Sequence, residues 1–305
     1  MSLIKNYQKP FIKWVGGKTQ IIDEIVKIIP TQMENYYEVF LGGGSVLLAL
    51  LTLQKENKIK IKKNIYAYDL NSSLINVYKH IQNEKTNLFK KINKYKKEYD
   101  KIDGIIINRN PKTKKDALSS KESYYYWVRN KFNKMDKNKV EYSAIFIFLN
   151  KTGFRGLYRE GPNGFNVPYG HYKTTPNIIT KDELYKISDL IKDVKFICSD
   201  FNDSLKNVKK GDFVYLDPPY APEKENSFVS YTKQGFDLEN HNKLFDLVEK
   251  MNKEKIKFAM SNAKVEIVED KFPTNEYKIL EIIVKRSINS KNPASKTKEL
   301  IIYNL

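Results

Sequence analysis

The sequence predicts an α/β protein: a doubly wound, mainly parallel sheet with antiparallel final strands, carrying an inserted, mainly helical domain. Three observations predict it. Short apolar runs bounded by turn residues alternate with helix-like stretches near both ends of the chain, as in successive βα units. The alternation stops between about residues 83 and 181 and then resumes. Two strand-like runs separated by a loose polar loop close the chain, which reads as a hairpin.

Taken in order, Thr19 to Ile29 reads as a helix stopped by Pro30. Tyr36 to Phe40 is a strand and Val46 to Leu53 the helix after it. Asn64 to Asp69 is the next strand, followed by a helix from about Ser72 to His80. After the insert come three short strands, Val194 to Ser199, Phe213 to Asp217 and Ile256 to Ser261. The closing pair is Tyr277 to Lys285 and Lys298 to Tyr303, around Ser287-Ile288-Asn289-Ser290-Lys291-Asn292-Pro293. Residues 1–82 and 182–305 therefore form one domain. Residues 83–181 form the insert, with a Lys-rich helical run, Tyr124-Tyr125-Tyr126-Trp127 and a Gly/Pro-rich loop at 153–170.

Composition narrows the function. At 305 residues and 41% hydrophobic, the chain can bury a substantial core. No run approaches the roughly 18 apolar residues of a membrane span. Met1 to Pro10 carries no apolar signal region, so the expected place of action is the cytoplasm. Cys198 is the only cysteine; it excludes a disulfide framework and, inside an apolar strand, is expected to be buried and inert. His80, His171 and His241 are widely spaced, so no metal site is expected. The formal net charge is +18, which suits a polyanionic partner, although a Lys- and Asn-rich composition also follows from an AT-rich genome. The five arginines, Arg109, Arg129, Arg155, Arg159 and Arg286, are more telling, because planar bidentate recognition needs the guanidinium.

Three motifs carry chemistry. Phe40-Leu41-Gly42-Gly43-Gly44-Ser45 lies between a strand and a helix, where glycines allow a sharp turn and close approach of backbone to a ligand. Asp69 ends the following strand, where a carboxylate can accept both ribose hydroxyls of a nucleoside cofactor or cap the next helix. Lys13-Trp14-Val15-Gly16-Gly17-Lys18-Thr19 ends like a phosphate loop, but Ile12 occupies the position of the required first glycine. Read instead as a cofactor segment, it offers Lys18 to a carboxylate and the Trp14 ring to a cation such as a sulfonium.

The third and most specific is Asp217-Pro218-Pro219-Tyr220, directly after Phe213-Val214-Tyr215-Leu216. It stands at the carboxyl end of a parallel strand, where ligands bind in such sheets. The Asp217 carboxylate and Pro218 carbonyl can accept the two N–H bonds of an aromatic amine, freeing its delocalised lone pair. Proline fixes the carbonyl's direction. Tyr220 offers a face for base stacking, worth about 1–3 kcal/mol. The target base must first leave the duplex.

In this order, Trp14 to Lys18, Phe40 to Gly44, Asp69, Ser199-Asp200-Phe201 and Asp217 to Tyr220 resemble the Dam-type, alpha-group (D12 class) N6-adenine DNA methyltransferases, over nearly the whole chain and including Lys285-Arg286-Ser287-Ile288. The resemblance implies a Rossmann-like methyltransferase sheet and S-adenosylmethionine as methyl donor. It places Trp14, Lys18, Asp69 and Asp217 on that cofactor, with Gly42, Gly44 and Asp200 around it and Phe40 and Phe201 flanking it. Asp217, Pro218, Pro219 and Tyr220 would hold the adenine. Double-stranded DNA is the implied partner, with a cognate restriction endonuclease as a second.

Asn150 to Arg159 resembles the family's base-reading hairpin, and Asn166-Val167-Pro168-Tyr169-Gly170 follows as in relatives. By that likeness Arg159 reads a guanine in the major groove, Phe154 wedges into the stack, and Leu157 and Pro168 touch a thymine methyl. Arg155 stands where GATC-methylating relatives usually carry Asn and is similar to CATG-type members, so both sites stay open. The Asp-Pro-Pro-aromatic device also serves cytosine N4 amines, RNA adenines and glutamine amides. A nicotinamide oxidoreductase using Gly42 to Gly44 and Asp69 would leave Asp217 to Tyr220 without a role, and a non-catalytic DNA-binding protein would have no need of the acidic residues.

Overall fold

The computed structural model describes residues 7–222, 236–285 and 296–305. The chain divides into two compact units: the described residues of 1–9, 18–70 and 193–305, and residues 10–17 with 71–192.

The first unit is built on a seven-stranded sheet: β1 Tyr36–Val39, β2 Ile65–Asp69, β3 Val194–Cys198, β4 Phe213–Leu216, β5 Lys257–Ala263, β6 Lys278–Lys285 and β7 Lys296–Tyr303. The spatial order is 3-2-1-4-5-7-6. Strands β1 to β5 pair in parallel. β7 runs antiparallel to both its neighbours, β5 and β6. β1 and β4 are buried at every position. That is why β4 reads as a continuous apolar run, as strands covered on both faces do, while β1 is apolar except for the buried acid Glu38. β3, at the edge, alternates buried Val194 and Phe196 with exposed Lys195. Cys198, on the same face as Val194 and Phe196, is nevertheless exposed at the strand's end, not buried as the sequence suggests. Burial on that face ends with Phe196, and an apolar run does not by itself show where the cover over it stops.

Helix Ser45–Lys55 follows β1 and buries every residue from Ser45 to Leu51, hence its near-uniform apolarity. Helix Leu238–Lys253, N-capped by Asp237 through the Asn240 N–H, sets Leu244, Phe245, Val248 and Met251 in the same core as Val214, Phe258 and Met260. Helix Phe201–Leu205 is capped by Asp200, whose Oδ1 accepts the Asp203 N–H at 2.9 Å.

The second unit gathers helices Ser72–Asn83, Lys85–Asp100, Lys121–Asn133 and Lys181–Leu190 with Val140–Thr152, the last buried along almost its whole length. It extends beyond the 83–181 stretch where the βα alternation is broken. Ser73 and Tyr142 hydroxyls meet at 2.8 Å, His80 Nδ1 and Ser143 Oγ at 2.7 Å, and Gln82 donates to the Ile191 carbonyl at 2.8 Å. Phe11 packs edge-on against Tyr78, and Asn150 grips Lys13 through both its N–H and C=O. These long-range ties draw in residues whose local pattern resembles the sheet unit's.

The tail loop at 287–293 and the segment from Arg286 to Ile288 lie outside the described residues. Among the described residues no helix is long and apolar enough to cross a membrane.

Candidate active site

In the order 3-2-1-4-5, the chain runs outward from β1 to β3 on one side and from β4 to β5 on the other. The reversal falls between β1 and β4, where an open parallel sheet leaves a crevice at the carboxyl ends of its strands. Two of the three sequence motifs leave those two ends: Phe40 to Gly44 follows β1, and Asp217 to Tyr220 follows β4.

The β1 loop turns through positive φ at Phe40 (68°), Gly42 (51°) and Gly44 (69°). Glycine adopts this region freely, whereas Phe40 is held there against its own Cβ. The Gly42 N–H donates to Asp69 Oδ2 at 2.9 Å, and the Leu41 N–H to the Tyr68 carbonyl at 2.8 Å. Asp69, at the end of β2, thus shapes the glycine loop directly. Beside the loop, the Phe40 and Phe201 rings stack at 5.9 Å, which is direct ring contact. Phe236 completes the cluster at 5.8 Å from Phe40 and 5.6 Å from Phe201. Beneath it His241 meets Phe236 edge-on at 4.7 Å. Burial holds His241 neutral, its pKa lowered to about 4.

At the β4 turn, Lys18 is almost wholly buried, at 4% side-chain exposure, and Asp217 retains 20%. The Lys18 ammonium touches both carboxylate oxygens, at 2.6 and 2.7 Å, and lies 5.0 Å from the Tyr220 ring centre. Burial pushes the Asp217 carboxyl above its ordinary value, Lys18 opposes that, and Glu299 adds to it. The Tyr220 hydroxyl donates to Glu299 Oε2 at 2.8 Å, and the Ala221 N–H to Asn262 Oδ1 at 3.0 Å. On β1, fully buried Glu38 accepts from the Tyr36 hydroxyl at 2.6 Å. Burial raises its pKa to about 8, so it is largely protonated at neutral pH.

Lys18, Phe40, Gly42, Gly44, Asp69, Phe201 and Asp217 to Tyr220 thus all stand in the first unit, around the carboxyl ends of β1, β2 and β4 and the start of the helix after β3. Asp200 is exposed and serves as a helix cap. Trp14 belongs to the second unit, where its ring stacks on Phe146 at 6.3 Å and Tyr158 at 5.7 Å.

Within the second unit, the stretch after helix Val140–Thr152 forms a short hairpin, Glu160–Gly161 against Gly164–Phe165. Phe154 (41% exposed), Arg155, Arg159 and Pro168 are exposed, and Leu157 is half-buried. Arg155 has φ 55° and its guanidinium lies over the Phe154 ring at 5.2 Å. Arg159 Nε donates to Asn166 Oδ1 at 2.7 Å, and the Asn166 N–H to the Arg159 carbonyl. Tyr158 roots the hairpin among Trp14, Phe146 and Phe165. Asn150 reaches the Gly156 carbonyl at 2.9 Å.

Sequence reasoning missed Phe236, Asn262 and Glu299. Phe236 lies two residues before a helix and carries no motif, though its position before the capping Asp237 is a recognisable signal. Nothing local marks Asn262 or Glu299, which meet the turn across 41 and 79 residues of chain. Among the described residues no cluster of three His, Cys, Asp or Glu could hold a metal ion.

A mostly parallel sheet with a glycine loop at its switch point and an antiparallel closing pair defines a Rossmann-like methyltransferase fold. The sequence model of the D12 class N6 adenine-specific DNA methyltransferases matches residues 14–288, and the chain belongs to that family. It is 36% identical to the type II methyltransferase M.MjaIII of Methanocaldococcus jannaschii, covering 97% of this chain and 99% of the relative. It is 33% identical to the DNA adenine methylase of Haemophilus influenzae, over 96% and 92% of the two chains. The type II methyltransferase M1.LlaDCHI of Lactococcus lactis subsp. cremoris is 30% identical over 97% and 95%. The protein is thus an adenine-specific DNA methyltransferase.

Proposed function

We propose that the enzyme transfers a methyl group from S-adenosylmethionine to N6 of an adenine flipped out of a short duplex site, GATC or CATG-like, by direct in-line attack. The observation that carries this reading is the adjacency of the glycine loop and the Asp217 turn on neighbouring parallel strand ends.

The residues present fit the cofactor. Positive φ at Gly42 and Gly44 opens the backbone to close approach, and Asp69 stands at the next strand end for a ribose. Lys18 is a buried cation suited to a carboxylate, and Phe40 and Phe201 offer aromatic surface. When bound, the cofactor supplies an electrophilic methyl carbon.

The protein's part is to hold and prepare the adenine. Asp217 and the Pro218 carbonyl each accept one amino N–H, drawing the nitrogen toward tetrahedral geometry. Tyr220 stacks on the extruded base. Lys18 bonds both Asp217 oxygens, and the amine takes a further acceptor site on one of them. Alignment then supplies most of the acceleration. The methylated ammonium is acidic, so its proton is lost without a strong base.

On the second unit, Arg159 is proposed to read a guanine, with Arg155, Phe154, Leu157 and Pro168 completing the contact with DNA. The type II names of two relatives support a cognate restriction endonuclease as a companion.

Isothermal titration with S-adenosylmethionine and with NAD tests the cofactor: heat with NAD alone would overturn the reading. Asp217→Ala is expected to abolish methyl transfer while duplex binding survives, and retained turnover would remove Asp217 from the mechanism. Single-molecule sequencing of DNA from expressing cells identifies the modified base and its context.

A further inference from the structure

We infer that Asn262 and Glu299, on the strands beyond β4, are positioning residues that hold the Asp217–Tyr220 turn and the Tyr220 ring in place for the transfer. This rests on the function proposed above.

The turn has little means of holding itself. Two consecutive prolines remove two backbone donors, and the Asp217 N–H makes only a long contact, 3.4 Å, to the Val39 carbonyl. Support comes from the side. Leu216 pairs with Met260 across β4 and β5, so Asn262, two residues on, comes level with the turn. Its Oδ1 accepts the N–H of Ala221, directly after Tyr220, at 3.0 Å and that of Ala263 at 2.8 Å. Two donors on one oxygen settle the amide's orientation. They leave Asn262 Nδ2 buried without a hydrogen-bond partner among the described residues. An unmet buried donor is costly, which argues that the site retains Asn262 for its acceptor.

β7 adds the second hold. Its register sets Leu300 opposite Asn262 and Glu299 opposite Ala263. From there Glu299 accepts the Tyr220 hydroxyl at 2.8 Å. The ring meant to stack on the base is thereby fixed at its far end, and its rotation about the Cα–Cβ and Cβ–Cγ bonds is restrained. The antiparallel closing strand thus acts on the reaction through Tyr220, without touching substrate.

The test is a cycle of wild type, Glu299→Ala, Tyr220→Phe and the double variant, with Glu299→Gln as the conservative control. Single-turnover methylation of an adenine-containing duplex is measured beside cofactor and DNA affinity. Glu299→Ala and Tyr220→Phe are each expected to slow the single-turnover step about tenfold, as loss of a hydrogen bond to a charged acceptor does, with both affinities unchanged. The double variant is expected to lose no more than either single one. Glu299→Gln, which keeps an acceptor, is expected to stay within about threefold of wild type. Asn262→Ala is expected to slow the same step with affinities intact. Full activity in Glu299→Ala, multiplied losses in the double variant, or a loss confined to affinity would each overturn the inference. A wild type that transfers no methyl to DNA would instead defeat the proposed function. Denaturant unfolding of the same four proteins then still reports the Tyr220–Glu299 coupling: additive losses of stability overturn the inference and non-additive ones support it.

Discussion

Replacing Lys18 by methionine removes a charge while keeping most of the side chain's apolar bulk. In the wild type the Lys18 side chain is 4% exposed and its ammonium bonds both carboxylate oxygens of Asp217, whose side chain is 20% exposed. Breaking a buried ion pair by removing one partner costs about 3–5 kcal/mol. The partial exposure of Asp217 argues for the lower end, about 3 kcal/mol at pH 8. The penalty should depend on pH, and its sign follows from Asp217. Burial already raises that carboxyl's pKa above its ordinary 3.8. Its contribution to stability is therefore full below the unfolded value and lost as pH rises through the folded one. Without Lys18, burial and Glu299 go unopposed. The folded pKa rises further and the window widens toward neutrality.

Urea unfolding of wild type and Lys18→Met at pH 5 and pH 8 measures this directly. The destabilisation should be clearly larger at pH 8. Adding Asp217→Asn should restore most of the loss, because it removes the stranded charge. Equal penalties at the two pH values, or no recovery in the double variant, would refute the account of a buried pair held against desolvation.

Three further outcomes are expected. Arg159→Ala should relax sequence choice at one guanine, by about 1–3 kcal/mol of discrimination, and Asn166→Ala should weaken the same discrimination by freeing the guanidinium. Methylation of a panel of single-base-substituted duplexes checks both, and unchanged preference would remove Arg159 from the reading set. His241 has its pKa lowered from 6.5 to about 4, so its contribution to stability is present above 6.5 and lost as pH falls toward 4. His241→Phe should flatten that acid-side slope in unfolding midpoints between pH 4 and 6.5; a slope identical to wild type would show that another group titrates there.

Much of the fold was legible in the sequence. The strands around Tyr36, Ile65, Val194, Phe213 and Lys257 were legible because a buried parallel strand is a short apolar run closed by turn residues. The glycine loop and the Asp-Pro-Pro-Tyr turn were legible because residues with restricted or unusual backbone freedom stand next to chemistry-bearing ones. These are local signals, written within a few residues of the groups concerned.

What needed the tertiary structure is long-range. The strand order puts β4 beside β1, so motifs nearly 180 residues apart in sequence leave adjacent strand ends. Trp14 precedes Lys18 by four residues, yet it packs with Phe146 and Tyr158 in the other unit. Cys198 ends an apolar run on the face of buried Val194 and Phe196, yet it is exposed, because the cover on that face ends before the strand does. Asn262 and Glu299 reach the turn only through the registers of β5 and β7. Side-chain periodicity fixes which face of an element is apolar; pairing register, a property of two distant segments at once, decides which residues meet.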